Sequence, residues 1–341
     1  MMDLSHTGFG TTSTGLAKAC VQAHYADIAR ATPGTVADAL AARMAPNALW
    51  RGMRPFYEQT GPQAVAQAFW APFLTAFSYV QRREDIFFAG ANSVGQGTWT
   101  VSMGHLMGLF DAPFIGIKPT GKIAMLRYAE FNLVEDGRIL ETALFVDLLH
   151  LMAQAGVVPL PEQTAAQMIQ PGPRTHDGLL YTDQDPAEGP KTQALIDAMI
   201  GAINHANAAA HPPTPQEELS AHWHPDMCWW GPTGIGSTYT IDRYIAQHQA
   251  PFRTKTKDRE FYGHIARVAE GNYGGFFGWP NLSIIPVGNY LGVPASGMRA
   301  PMRVVDIYRR EGDKLAENWI FIDILHFLSE QGMDLLAALD R

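Results

Sequence analysis

The chain is 341 residues long, 47% hydrophobic and 17% charged, a balance that buries sizeable cores and excludes a disordered polymer. Its formal net charge is −8, and no segment gathers the basic excess that a phosphate backbone demands, so no nucleic-acid partner is expected. No apolar run is long enough to span a bilayer, which leaves no membrane partner.

Two cysteines, Cys20 and Cys228, are too few and too far apart for a disulfide framework. The start, Met1 to Gly10, lacks the basic stretch and apolar run of an export signal. A cytoplasmic protein is the expectation.

Residues 127–152 and 303–328 align without a gap at an offset of 176. Arg127/Arg303, Glu135/Glu311, Glu141/Glu317, Phe145/Phe321, Asp147/Asp323, Leu149/Leu325 and His150/His326 are identical pairs. Upstream, Ala71-Pro-Phe73 repeats as Ala250-Pro-Phe252 at an offset of 179, and Pro46 to Trp50 parallels Pro225 to Trp229. So long a period is a duplicated domain and not a solenoid. The first copy is expected over 1–160 and the second over 190–341. The Pro-, Gly-, Asp- and Thr-rich stretch 161–189 links them.

In the second copy, Leu195, Ile196, Met199, Ile200 and Ile203 have helical spacing over Lys191 to Ala209. Thr214 and Glu217 form a capping signature for a short helix, Pro215 to Trp223. A strand follows at Asp226 to Trp230, then a third helix, Thr240 to Gln249, expected to end before Pro251. Four strands are expected near 258–268, 273–285, 298–309 and 314–325, then a closing helix, Leu325 to Leu339. Helices followed by an antiparallel meander argue an α+β class. The expectation is two tandem cone-shaped domains, each a curved antiparallel sheet wrapped by about three helices around a pocket.

Gly288-Asn-Tyr-Leu-Gly-Val-Pro-Ala-Ser-Gly297 resembles the G-x-F-x-G-I-P-P-T-G stretch of the SnoaL-like polyketide cyclases. Asp306 to Trp319, with Asp323 beyond, resembles their D-I-F-R-x-x-x-G-x-I-x-E-x-W-x-x-x-D signature. The resemblance implies the nuclear-transport-factor-2-like cone. It also implies cofactor-free ring closure by intramolecular aldol condensation, run by an Asp and a His. Two departures stand out. Pro286-Val287 occupy the place of a His-Thr pair carried by many relatives, and Ala143 replaces the signature Trp in the first copy.

On the last strand, side chains alternate between faces. Glu317, Trp319, Phe321 and Asp323 share one, and Asn318, Ile320, Ile322 and Ile324 share the other. The first face is expected to be concave, with Glu317 desolvated as an acid/base and Asp323, His326 and Asp306 as further catalytic candidates. The rival reading makes the carboxylates architectural partners of Arg303 or Lys314. The aliphatic face is expected to meet the other copy, giving an intrachain pseudo-dimer with room for further homo-oligomerisation. Trp319, Trp229, Trp230, His248, His264, Tyr290 and Arg303 are expected to bind a small hydrophobic or aromatic ligand. Their first-copy counterparts include Glu141, Asp147, His150, Arg127 and Trp50. Because only the second copy keeps Trp319, His248 and His264, it is expected to hold the better-defined pocket. His222-Trp-His224 has the wrong spacing for a metal, and Gly271 to Gly278 lacks the context of a phosphate loop, so no metal or organic cofactor is expected. Two functions stay open: acid/base ring closure or isomerisation of a polyketide-like carbonyl compound, and non-catalytic binding of a small molecule. A hydrolase or dehydratase on the same scaffold is a further alternative.

Overall fold

The computed structural model describes residues 10–161, 168–337 and 339. Residues 1–9, where no export signal is expected, and linker residues 162–167 lie outside the described residues. The chain divides into two compact units. The first holds residues up to 158 with 171–184 and the end of the chain from 334. The second holds 159–170 and 185–333.

In the first unit, helix Ser13–Arg30 starts on Thr12, whose side chain accepts a hydrogen bond from the Gly15 N–H. The strands are β1 (Met44–Gly52), β2 (Tyr57–Thr60), β3 (Phe77–Ala91), β4 (Thr98–Phe110), β5 (Ile123–Glu135) and β6 (Arg138–Val146). They lie in the order β2-β1-β6-β5-β4-β3. Part of the expected linker extends this sheet. Leu180 donates to the Phe87 carbonyl at 2.7 Å, and Phe87 donates to the Gly178 carbonyl at 2.8 Å.

The second unit repeats the plan. Helix Glu188–Ala208 precedes the short helix Pro215–Ser220, which carries the capping box of Thr214 and Glu217. The strands are β7 (Trp223–Trp230), β8 (Thr238–Tyr239), β9 (Thr256–Phe261), β10 (Ala266–Glu270), β11 (Tyr273–Pro286), β12 (Ala300–Glu311) and β13 (Lys314–Ile322). Their order is β10-β11-β12-β13-β7-β8, with β9 also on β11. The duplication extends to unusual backbone. Tyr79 and Asp258, Gly61 and Thr240, and Ile115 and Leu291 all have positive φ, at offsets of 179, 179 and 176.

Three expectations need correction. Each sheet is mixed, because β1 runs parallel to β6 and β7 parallel to β13, and among the described residues neither closes into a barrel. The third helix does not stop at Pro251. Ile241–Tyr244 leads into a π-helical turn, Ile245–Gln249, and on to Ala250–Lys255. The π turn abandons the i→i−4 ladder just where proline has no N–H to contribute and would crowd the preceding carbonyl. The last helix spans only Ile324–Ser329. Gly332, at φ 83°, ends it by letting Met333 donate back to the Leu328 carbonyl at 3.0 Å.

The interior of the first unit is filled by rings. Phe69 stacks on Phe73 at 5.6 Å, Phe73 on Phe77 at 4.6 Å, and Phe77 on Phe110 at 4.7 Å; Phe114 sits edge-on to Phe73 at 5.7 Å. Phe69 is fully buried, so Phe69→Ala is expected to destabilise this unit by about 3–5 kcal/mol in urea unfolding. A cost below about 1 kcal/mol would show that the rings do not pack as a solid core.

Candidate functional site

The second unit encloses a cavity of about 530 Å³ inside its sheet. Strand register decides which residues reach it. Asp306 lies opposite Ile320, Tyr308 opposite Asn318, and Val304 opposite Ile322. All six line the cavity, as does Phe276, which faces Asp306 from β11. The concave side of β13 is therefore the Asn318, Ile320 and Ile322 face.

The sequence expectation had these sides reversed. Glu317 lies on the other face with Trp319, Phe321 and Asp323, and ion-pairs with Arg309, which also holds Glu311 at 2.8 Å. Glu317 is fully buried but outside the cavity lining. Ile320 and Ile322 form cavity wall.

Asp323 pairs with Arg303 at 3.3 Å and caps the last helix, accepting from the His326 N–H at 3.1 Å. Arg303 also lies over the Trp279 ring at 4.2 Å. His326 follows on that helix, 3.9 Å from Glu330. Asp323, His326, Arg303, Trp319 and Trp230 are all absent from the cavity lining. The first copy repeats the cap but pairs its glutamate with a different strand. Asp147 accepts from the His150 N–H at 3.0 Å, and Glu141 pairs with Arg51. Arg127 is buried beside Asp147, and Trp50 is packed against Phe69 at 6.0 Å.

The cavity does gather Asp306, His248, His264, Trp229 and Tyr290. Asp306 is buried, and burial pushes its carboxyl up from 3.8 to about 7. Hydrogen bonds from Asn318 Nδ2, at 3.1 Å, and from the Tyr308 hydroxyl offset part of that rise. Burial also raises Tyr308 and Tyr244, and the Asp306 charge adds to both. His248 stacks on Trp229 at 4.1 Å, and burial lowers it to about 3. His264 stacks on Phe276 at 3.9 Å and falls to about 3 through burial and then Arg267. Arg267 donates to His264 Nδ1 at 2.9 Å, so that nitrogen accepts and the ring proton sits on Nε2. Both imidazoles are neutral near pH 7.

Tyr308, Tyr244, Asn318, Gln249 and Asn281 also line the cavity and were not singled out from sequence. Tyr308 was findable, being two residues from Asp306 on one strand and so on its face. The others depend on which face of β13 is concave and on the π turn, neither of which has a local sequence mark.

Among the described residues, no group of three or more His, Cys, Asp or Glu side chains is placed to hold a metal ion. Nor is any helix among them long and apolar enough to cross a membrane.

The first copy alters the same centre. Glu130 stands 176 residues before Asp306, and Arg82 pairs with it at 3.1 Å. Burial is the largest single influence and acts to raise this carboxyl, but Arg82, together with Asn132, His24 and Tyr25, holds Glu130 below the usual carboxylate range. Arg82 is itself stacked over the rings of Tyr25 and Tyr128, at 3.7 and 4.5 Å. In the second copy, Phe261 occupies the place of Arg82 at an offset of 179.

The family model for the SnoaL-like polyketide cyclases matches residues 21–155. It falls on the first copy, although the quoted motifs are fuller in the second. No curated protein matches the chain. Among solved structures, a putative SnoaL-like polyketide cyclase from Jannaschia sp. CCS1 is 19% identical. That match covers 45% of this chain and 98% of the other, with a TM-score of 0.34. IdmH, a putative polyketide cyclase from Streptomyces antibioticus, is 18% identical over 41% of this chain and 99% of its own, with a TM-score of 0.33. A putative polyketide cyclase from Xanthomonas campestris pv. campestris is 21% identical over 42% and 99%, with a TM-score of 0.34. The match to the SnoaL-like polyketide cyclase family thus lies on the first copy, and the second copy repeats that domain's strand order.

Proposed function

We propose that the second domain is a cofactor-free acid/base enzyme acting on a hydrophobic carbonyl compound, with Asp306 as its base. The single observation that carries this reading is a buried carboxyl raised to about 7 in the wall of a cavity, with no cation among the described residues paired to it. A carboxyl so placed is half ionised near neutral pH, where a general base is most useful. It would remove a proton next to the carbonyl, and the resulting enolate carbon would attack a second carbonyl in the same molecule or be reprotonated elsewhere. Ring closure follows in the first case and isomerisation in the second. The aromatic wall of Trp229, Phe252 and Phe276 suits a flat, apolar ligand. A cytoplasmic setting is part of the same proposal, and Cys20 and Cys228, both buried and not joined in a disulfide, are compatible with it.

The test uses an aryl methyl ketone, 2-acetylnaphthalene, in deuterated buffer, with exchange of its methyl protons followed by NMR. The wild type is expected to accelerate exchange, and Asp306→Asn to lower the catalysed rate by about 10²–10⁴-fold. Glu317→Gln is expected to leave the rate within a few-fold while lowering stability, since it disturbs the pair with Arg309. If Glu317→Gln abolishes exchange and Asp306→Asn does not, the assignment is wrong. The catalysed rate should climb as pH rises through about 7, because the ionised carboxylate is the active form.

Asp306 also marks stability. Its folded value, about 7, lies above its unfolded value near 3.8. The contribution is therefore fully present below pH 3.8 and is lost as pH rises through about 7. Relative to Asp306→Asn, the wild type is expected to lose stability over that interval, by about 4 kcal/mol at ~1.4 kcal/mol per unit. Paired urea titrations between pH 4 and 9 measure this. The lowered His248 and His264 act in both proteins and cancel in the difference. A flat difference would mean that Asp306 titrates as an ordinary carboxylate.

A further inference from the structure

Three buried polar atoms in the cavity wall have no hydrogen-bond partner among the described residues: Gln249 Oε1, Asn281 Oδ1 and the Tyr290 hydroxyl. Their residues are 7%, 5% and 5% exposed. A buried acceptor left unmatched costs about 1–3 kcal/mol, so such atoms are rarely accidental in a native interior.

Gln249 is the most sharply defined of the three, because its amide cannot turn over freely. Glu218, also buried, accepts two hydrogen bonds from Arg253, at 2.9 and 2.8 Å, and a third from Gln249 Nε2 at 3.4 Å. An ionised carboxylate only accepts, so it must face the NH₂ end of the amide. A flipped amide would set oxygen against oxygen. The Arg253–Glu218 pair therefore holds Oε1 as a fixed acceptor. Gln249 itself closes the π-helical turn, which also carries His248. In the first copy the equivalent position is Trp70, packed edge-on against Phe69 at 5.0 Å. The second copy has thus exchanged a space-filling ring for an oriented carbonyl oxygen.

We propose that Gln249 is a specificity-determining residue whose Oε1 accepts a hydrogen bond from a hydroxyl or N–H of the bound compound. The site then selects hydroxylated ring compounds over their O-methylated forms. A pocket built to meet a donor discriminates far more strongly than an apolar pocket of the same shape, because the analogue leaves its acceptor unmatched. The inference rests on reading the cavity as the substrate site, but not on the chemistry assigned to Asp306.

The probes are 1,3-dihydroxynaphthalene and 1,3-dimethoxynaphthalene, titrated into the full chain with binding read by calorimetry. The wild type is expected to bind the diol about tenfold or more tightly than the diether, the worth of one good hydrogen bond to a buried acceptor. Gln249→Met keeps length and apolar volume, and should bring the ratio to within about threefold by weakening the diol alone. A wild type that binds both probes equally, or neither, overturns the proposal without any variant being needed. So does Gln249→Met retaining the full preference. If Asp306→Asn keeps its exchange activity while the ratio still collapses in Gln249→Met, the proposed chemistry fails and the role of Gln249 stands.

Discussion

The second domain turns on one constraint: a carboxyl group, Asp306, held in a hollow apolar interior by neutral donors alone. Ionising it there is costly, so its proton affinity rises toward neutrality. A cation beside it would reverse that outcome, as the first copy demonstrates. Glu130 occupies the same strand position, but Arg82 neutralises it and is itself clamped between two tyrosine rings. The same fold thus carries a loaded carboxyl in one copy and a settled ion pair in the other.

The hollow has an equally local origin. Phe69, Trp70 and Phe77 of the first copy become His248, Gln249 and Thr256 at an offset of 179, while Phe110 and Phe114 become Pro286 and Tyr290 at 176. Interiors pack to nearly crystalline density, so five large rings replaced by smaller or more polar side chains must open space unless the backbone collapses. The strand order, the π turn and the positive-φ positions recur in both copies. A backbone preserved to that degree leaves the difference as a cavity.

Much of this was legible in sequence. The repeat, the α+β order, the capping box at Thr214 and the grouping of residues on β13 all follow from periodicities of 3.6 and 2. Alternation, however, assigns residues to two faces without saying which is concave. The Trp319 and Phe321 face looked like a ligand wall and the isoleucine face like a contact surface, yet Asn318 and the isoleucines line the cavity. The residue that identifies the concave face is Asn318, a polar side chain among isoleucines, with Tyr308 opposite it and its amide donating diagonally to Asp306. Reading that pair needs the register of β12 against β13, a non-local quantity. The π turn is equally silent. Pro251 signals a break in the ladder, and only tertiary packing makes the chain absorb it as a widened turn and not as an end.

The two cavity histidines narrow what chemistry the site can run. At about 3, neither His248 nor His264 carries a proton to give near neutrality. An imidazolium acid is therefore ruled out of the proposed cycle, and each ring offers only the weak donor and acceptor of a neutral imidazole. Tyr244 and Tyr308 are raised by burial and by the Asp306 charge, which makes them hydrogen-bond donors to a developing oxyanion in preference to full proton donors. The group left to return a proton is Asp306 itself, protonated by its first step. An aldol closure or an isomerisation has no net proton change, so one carboxyl near 7 can open and complete the cycle, with phenols bracing the charge in between. On this reading the His-Thr pair missing at Pro286-Val287 is not a lost function, because a single tuned carboxyl in the cavity wall does not require it.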